Sequence, residues 1–143
     1  MLSLPPVRRP TVLFLFICSR TRIFIVPLTA YGCMQRVGIV PPPVTITADD
    51  KRLKAGKPAP DPFLLAAECL GYDAKKCVIF EDSPSGIRAG VASGATVIAV
   101  CTSHERSNIE HCGAHYIVEN MESINTEVTE DGGIKFTIAA AVA

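Results

Sequence analysis

Between Asp61 and Val118 the sequence alternates short apolar runs with amphipathic stretches of about ten residues. The predicted strands are Lys76 to Phe80, in which Cys77 to Phe80 are apolar, Thr96 to Val100 and Tyr116 to Val118. Because each run is short and lacks the alternation of a half-exposed strand, it predicts a strand buried on both faces. Strands that alternate with helices of this length form parallel sheets joined by right-handed crossovers. The sequence therefore predicts an α/β fold with a three-layer, Rossmann-like parallel sheet.

Two of the predicted helices carry their own start and stop signals. Asp61 is the predicted cap of the first helix, and Gly71 is its predicted end. Ser83 is the predicted cap of the second helix, which stops at Gly94. A proline follows each cap residue, where its restricted backbone suits the first helical turn. Apolar residues recur in the first helix at three- and four-residue spacing, which predicts that one face packs on the sheet.

Weaker patterns lie on either side of this region. Ile23 to Val26 is a candidate strand, and Glu105 to Cys112 predicts a third helix. Met121 to Ile124 predicts a short helical turn. Ile134 to Ile138 predicts an edge strand, to which we assign no function.

The charge balance and the cysteines indicate what kind of partner the protein binds and in which compartment it is located. Fourteen Lys and Arg balance fourteen Asp and Glu, so the net charge would not attract nucleic acid or an anionic membrane. A small, compact molecule is the predicted partner. The six cysteines form no CxxC pair and lie mostly in apolar runs, which predicts buried, reduced thiols and a cytoplasmic location. Arg8, Arg9 and Thr11 to Cys18 have the order of a signal peptide, but no small-residue cleavage site follows them.

Two adjacent acids, Glu81 and Asp82, follow the strand that ends at Phe80 and precede the helix capped by Ser83. Hard cations such as magnesium prefer oxygen ligands, and two carboxylates at a strand end supply both charge and geometry. The alternative needs no metal. In it, Asp82 helps to cap the helix and Glu81 is solvated.

A lysine is held in the stiff segment Gly56 to Pro62, directly ahead of the first helix. Prolines restrict their own backbone and that of the preceding residue, so Lys57 is presented from a rigid loop. A positioned ammonium group can neutralise a phosphoryl group during its transfer. The alternative is an ordinary solvated lysine, like Lys51 and Lys54 in the same loop.

Taken together, these two motifs resemble those of a known family. Gly-Lys-Pro-x-Pro around Lys57, followed by Phe80 to Gly90, is similar to the third and fourth motifs of haloacid dehalogenase-superfamily hydrolases. Val44 to Asp50 and Ala99 to Ser103 resemble the fungal glycerol-phosphate and 2-deoxyglucose-6-phosphate phosphatases. The resemblance spans roughly Tyr31 to Ile124.

The resemblance implies an enzyme, a phosphatase that hydrolyses small sugar or polyol phosphates through an aspartyl-phosphate, with Mg²⁺ as cofactor. Lys57 would be catalytic and would bind the phosphoryl oxygens. Glu81 and Asp82 would hold the magnesium ion directly or through its waters, and Ser83 would support their loop. Thr29 is the candidate for the phosphate-binding hydroxyl of the second motif, with an ordinary turn hydroxyl as its alternative.

The chain also departs from the family pattern. The family's Asp-x-Asp-Gly-Thr motif, whose first aspartate is the nucleophile, is absent, since residues 1–48 contain no Asp or Glu. The cap domain that would select the substrate is missing as well, which predicts an incomplete hydrolase core. The composition changes near Ala30, so we interpret residues 1–30 as a divergent segment and residues 31–143 as the C-terminal portion of the core. A misread exon boundary, a frameshift or a truncated paralogue would account for residues 1–30.

Three hypotheses about the function of this chain therefore remain. The first is a phosphatase by lineage that keeps part of its site. The second is a non-catalytic remnant that binds metal or a partner. The third is an unrelated binding domain with a flavodoxin- or receiver-like sheet, in which Lys57 and the two acids are coincidental. The joint spacing of the motifs favours the first two.

Overall fold

A computed structural model describes residues 2–3, 23–26, 40, 44–130 and 133–139. Thr29 and the apolar run Thr11 to Cys18 lie outside these described residues. The strands are β1 (Leu2–Ser3), β2 (Ile23–Val26), β3 (Val44–Thr47), β4 (Val78–Glu81), β5 (Thr96–Val100), β6 (Tyr116–Val118), β7 (Ile124–Val128) and β8 (Ile134–Ile138). The α-helices are α1 (Asp61–Leu70), α2 (Pro84–Ala92) and α3 (Arg106–Ile109). Short 3-10 helices span Ala74–Lys76, Glu110–Cys112 and Met121–Ser123.

The central sheet contains β4, β5 and β6 in that order, all parallel. In its register Glu81 lies opposite Ala99, and Val100 lies opposite Val118. The α/β fold with a parallel sheet is thus confirmed. A separate parallel pair joins β2 to β3, which confirms the strand predicted at Ile23–Val26. Within the described part of the chain, β4 is hydrogen-bonded to β5 alone.

The helices pack on one face of the central sheet. Phe63 and Ala66 of α1 are fully buried, together with Ile87 of α2. They share a core with Ile79 of β4 and Val97 of β5. Alternate strand residues point to this face because side chains alternate along a strand. The apolar periodicity predicted for α1 is therefore satisfied by the sheet.

A β-hairpin covers the other face of the central sheet. Phe80 and Ile98 pack there against Ile134 and Phe136, and all four are at most 2% exposed. The rings of Phe80 and Phe136 meet edge to face at 5.6 Å. The prediction of an edge strand at Ile134–Ile138 is wrong: β8 is the middle strand between β1 and β7. Its apolar side chains cover the face of the central sheet on which the helices do not pack.

The helix ends follow the predicted signals with one exception. Ser83 caps α2 by accepting a hydrogen bond from the Gly86 amide at 3.2 Å. Gly71 ends α1 in the left-handed region, with φ of 73°, where glycine carries no Cβ penalty. Asp61, however, is the first residue of α1 rather than its cap; Pro60 occupies the cap position without a side-chain hydrogen bond.

The predicted third helix is shorter than expected. Glu105 to Cys112 divides into the four residues of α3 and the 3-10 turn Glu110–Cys112. In the described part of the chain, none of the helices is long and apolar enough to cross a membrane.

Candidate functional site

The carboxyl ends of β4 and β5 bring the predicted acids next to a loop of the neighbouring strand. Glu81 is the last residue of β4, and Asp82 begins the turn into α2. Residues 102–104 follow the end of β5 closely. Because β4 and β5 are parallel neighbours, their carboxyl ends meet at one edge, where ligands of such sheets bind. The structure thus assembles the predicted acids at the expected edge of the sheet.

Glu81 is buried and paired with Lys57. The carboxylate is 2% exposed, and its Oε1 accepts a hydrogen bond from the Nζ of Lys57. The lysine side chain is itself only 24% exposed, and its ammonium lies 5.2 Å from the centre of the Phe63 ring. A buried carboxylate is tolerated only where charge and hydrogen bonds compensate for lost hydration. Lys57 provides that compensation, so it is not a freely solvated loop lysine.

The second oxygen of Glu81 is held by the start of α2. The hydroxyl of Ser83 donates to Oε2 at 2.9 Å, and the Ser83 amide lies 3.4 Å from the same atom. The same hydroxyl accepts from the Gly86 amide. A Cβ added at Gly86 would lie 2.0 Å from Glu81 Oε2. The first turn of α2 therefore closes directly over the carboxylate, and only glycine leaves room for it.

Asp82 is only partly buried and turns toward the loop after β5. Its Oδ2 accepts hydrogen bonds from Thr102 Oγ1 at 3.3 Å and from Ser103 Oγ. The Nδ1 of His104 lies 3.0 Å from the carbonyl oxygen of Asp82. The sequence pattern predicted no role for Thr102, Ser103 or His104. Their position directly after the second buried strand was the available signal, because parallel neighbouring strands end at the same edge.

A cleft of about 410 Å³ opens beside this loop. Its walls are formed by Cys101, Thr102, Ser103, His104, Glu105, Arg106 and Glu119. Arg106 and Glu119 face each other at 3.6 Å. Burial raises the pKa of the Cys101 thiol, and the nearby Glu119 carboxylate raises it further. The cleft is therefore polar, with hydroxyl, imidazole and ionic groups along its wall.

The two acids differ in their fitness for a magnesium ion. Both oxygens of Glu81 are engaged by Lys57 and Ser83. In Asp82, Oδ2 accepts the hydrogen bonds from the Thr102 and Ser103 hydroxyls, and Oδ1 receives no hydrogen bond from the described residues. No group of three His, Cys, Asp or Glu side chains that could hold a metal occurs among the described residues. Magnesium is often bound through one or two carboxylates and keeps several waters, so Asp82 fits it as a single protein ligand.

Comparison with known proteins is consistent with this geometry. Residues 26–94 match a family described as haloacid dehalogenase-like hydrolase. The matched range includes Lys57, Glu81, Asp82 and Ser83.

Two relatives come from Saccharomyces cerevisiae. Glycerol-1-phosphate phosphohydrolase 2 is 39% identical over 97 residues, covering 63% of this chain and 38% of that protein. 2-deoxyglucose-6-phosphate phosphatase 2 is 34% identical over 117 residues, covering 76% of this chain and 47% of that protein. The chain thus spans less than half the length of these relatives. The predicted resemblance to fungal phosphatases of these two kinds is confirmed.

The fold also has a counterpart among solved structures. A hydrolase from Pseudomonas syringae matches with a TM-score of 0.57 and 26% sequence identity. The match covers 64% of this chain and 43% of that one. The parallel α/β arrangement that brings the acids to the sheet edge is therefore shared with a hydrolase.

Proposed function

Because residues 26–94 match the haloacid dehalogenase-like hydrolase family, we propose that this chain belongs to that family and carries the lysine-and-acid half of a phosphatase site. The substrate class is a small sugar or polyol phosphate, as the names of the yeast relatives suggest. The observation that carries the proposal is the pairing of Lys57 with Glu81, one residue from Asp82, at the carboxyl edge of the sheet. A nucleic acid or a membrane is not an expected partner.

Lys57 is the proposed catalytic residue of this half-site. Its ammonium group is held between Glu81 and the Phe63 ring, so little reorganisation is needed when a phosphoryl oxygen approaches. Charge that is already in place stabilises a developing negative charge better than a mobile group does. Glu81 then serves to position Lys57, and Ser83 positions Glu81.

Asp82 is the proposed ligand of a magnesium ion. A bound magnesium ion would neutralise negative charge on the phosphoryl oxygens. Asp82 would contribute its carboxylate to that ion, and water would fill positions that the protein leaves. Glu81 was predicted to hold the ion directly or through its waters; its engagement with Lys57 supports the indirect role, in which it acts through water or through the orientation of the loop.

The absence of a carboxylate before Asp49 supports a second candidate function. The family's reaction needs an aspartate that attacks phosphorus, and covalent catalysis of this kind cannot proceed without it. In this second candidate, residues 31–143 are a non-catalytic remnant that binds magnesium or a partner. Residues 1–30 are then a divergent segment, and the proposed location is the cytoplasm.

A phosphatase assay with glycerol-1-phosphate and 2-deoxyglucose-6-phosphate separates the two candidates. The parent, Lys57→Ala, Asp82→Ala and the matched control Lys54→Ala, which alters an exposed loop lysine, are compared with and without magnesium. Magnesium-dependent turnover that is lost in the first two variants and kept in the control identifies a working phosphatase. The remnant is identified by zero turnover together with magnesium protection against thermal unfolding in the parent but not in Asp82→Ala. Turnover that survives both site variants contradicts the proposed site.

A further inference from the structure

Three consecutive residues after β5 contact a single residue after β4. Thr102 and Ser103 donate their hydroxyl hydrogens to the same carboxylate oxygen of Asp82, at 3.3 Å for Thr102. His104 Nδ1 lies 3.0 Å from the main-chain carbonyl oxygen of Asp82. A carbonyl oxygen can only accept, so this contact is a hydrogen bond when Nδ1 carries the proton. Side chain and main chain of Asp82 are therefore held from the same segment.

The base of this segment is itself fixed. The Cys101 amide donates to the Val118 carbonyl of β6 at 3.0 Å, and the Thr102 amide donates to the Val100 carbonyl at 2.9 Å. These main-chain bonds define the direction in which the chain leaves β5. The hydroxyls of Thr102 and Ser103 consequently approach Asp82 from a stable support.

We propose that Thr102, Ser103 and His104 form a positioning clamp that holds the Asp82 carboxylate in one orientation and leaves its Oδ1 available to a divalent cation. The three are positioning residues, since they act through Asp82. The proposal rests on the proposed function where it assigns a cation to Asp82. The orientation of Asp82 without any metal is a separate consequence, and it can be measured separately.

The asymmetry of the two carboxylate oxygens supports this role. Both hydroxyls converge on Oδ2, whereas Oδ1 accepts no hydrogen bond from any described residue. A partly exposed aspartate without such contacts would populate several rotamers. Hydrogen bonds to an ionised acceptor are stronger than those between neutral groups. Two of them on one oxygen restrict rotation and leave the other oxygen without a hydrogen bond from the described residues.

The first experiment measures the orientation of Asp82 in the absence of metal. Three-bond NMR couplings from Asp82 Cγ to its backbone nitrogen and to its carbonyl carbon report the side-chain rotamer. We expect values of a single rotamer in the parent and averaged values in the double variant Thr102→Val/Ser103→Ala. The control Ser107→Ala alters an exposed serine of α3 and should match the parent. Averaged couplings in the parent, or unchanged couplings in the double variant, overturn the clamp.

The second experiment titrates the same proteins, together with the single variants Ser103→Ala and Ser103→Thr, with magnesium chloride in a calorimeter. We expect Ser103→Ala to bind magnesium up to about threefold more weakly, because only the fraction of molecules with Asp82 in the competent one of its three staggered rotamers binds the ion. Ser103→Thr, which keeps the hydroxyl, should retain the parent affinity. Parent-like affinity in Ser103→Ala contradicts the clamp. If the parent binds no magnesium, the metal role of Asp82 in the proposed function fails, and the couplings alone decide whether the clamp exists.

Discussion

The ammonium group of Lys57 and the carboxylate of Glu81 form an ion pair beneath the first turn of α2, although 24 residues separate them in the sequence. Lys57 approaches from the loop before α1, and Glu81 is the last residue of β4. The pair therefore ties the loop to the carboxyl edge of the central sheet. Its burial makes the stability of the protein sensitive to the loss of either partner.

Removal of Lys57 should destabilise the protein more than its partial exposure suggests. Lys57→Ala leaves the 2% exposed Glu81 carboxylate without its cation, and removal of one partner of a buried pair costs roughly 3–5 kcal/mol. The double variant Lys57→Ala/Glu81→Gln should recover part of that loss, because the buried negative charge is also removed. Urea unfolding of the parent, both single variants and the double variant measures the coupling. Strictly additive effects would argue against the pair.

Gly86→Ala should destabilise the protein although alanine is the better helix former. The added Cβ would lie 2.0 Å from Glu81 Oε2 and 2.1 Å from its Cδ, so the carboxylate must move from Lys57 and Ser83. Overpacking of this kind costs typically about 1–3 kcal/mol. Gly56→Ala is the matched control, since nothing lies within 4 Å of a Cβ there. Thermal unfolding should show a lower midpoint for Gly86→Ala only; equal midpoints would mean that the helix start can shift.

The thiols of Cys69 and Cys77 should react at very different rates. Cys69 is exposed, whereas Cys77 is buried, and burial raises the pKa of the Cys77 thiol to about 11. The thiolate is the reactive form, so Cys77 is protected by both inaccessibility and protonation. Iodoacetamide at pH 8 should label Cys69 in the native protein and Cys77 only after denaturant is added. Peptide mass spectrometry measures both sites, and rapid native labelling of Cys77 would contradict the packing of β4.

The Asp50 carboxylate should contribute stability that is lost in acid. Its hydrogen bonds with the Arg52 side chain and amide lower its pKa from 3.8 to about 2. A carboxyl group with a lowered pKa in the native state stabilises the protein above its unfolded pKa, and the effect disappears as pH falls from about 4 to about 2. Asp50→Asn should therefore show a flatter loss of stability across this window than the parent. The control Asp49→Asn changes the exposed neighbouring acid and should follow the parent; a parent-like slope in Asp50→Asn would contradict the assignment.

Local signals explain why much of the fold could be predicted. Ser83 caps α2 with a residue three positions away, and Gly71 ends α1 by its own backbone freedom. The run Thr96–Val100 is apolar after its first residue and forms β5 with the predicted bounds. The prediction that Asp61 caps α1 was wrong because aspartate suits both the cap and the first turn of a helix. Its negative charge is favourable at either position.

The hairpin of β7 and β8 illustrates what sequence pattern could not supply. Ile134–Ile138 was recognisable as a strand, but its partners and its burial depended on which face of the central sheet remained uncovered. Phe136 meets Phe80 across more than fifty positions of sequence. Such contacts depend on how whole layers pack. The sequence pattern of an apolar strand is therefore the same whether the strand lies at the edge or in the middle of a sheet.

The sequence by itself determined the alternation of helices and strands from Asp61 to Val118, the Ser83 cap, and the position of Glu81 and Asp82 at the end of a buried strand, because these follow from interactions between near neighbours. Only the tertiary structure decided the partners of the two acids. Glu81 meets Lys57 inside, while Asp82 meets Thr102 and Ser103 at the surface. The physical reason is that adjacent residues at a strand end point in different directions, and the elements packed around them determine which charges and hydroxyls each one contacts.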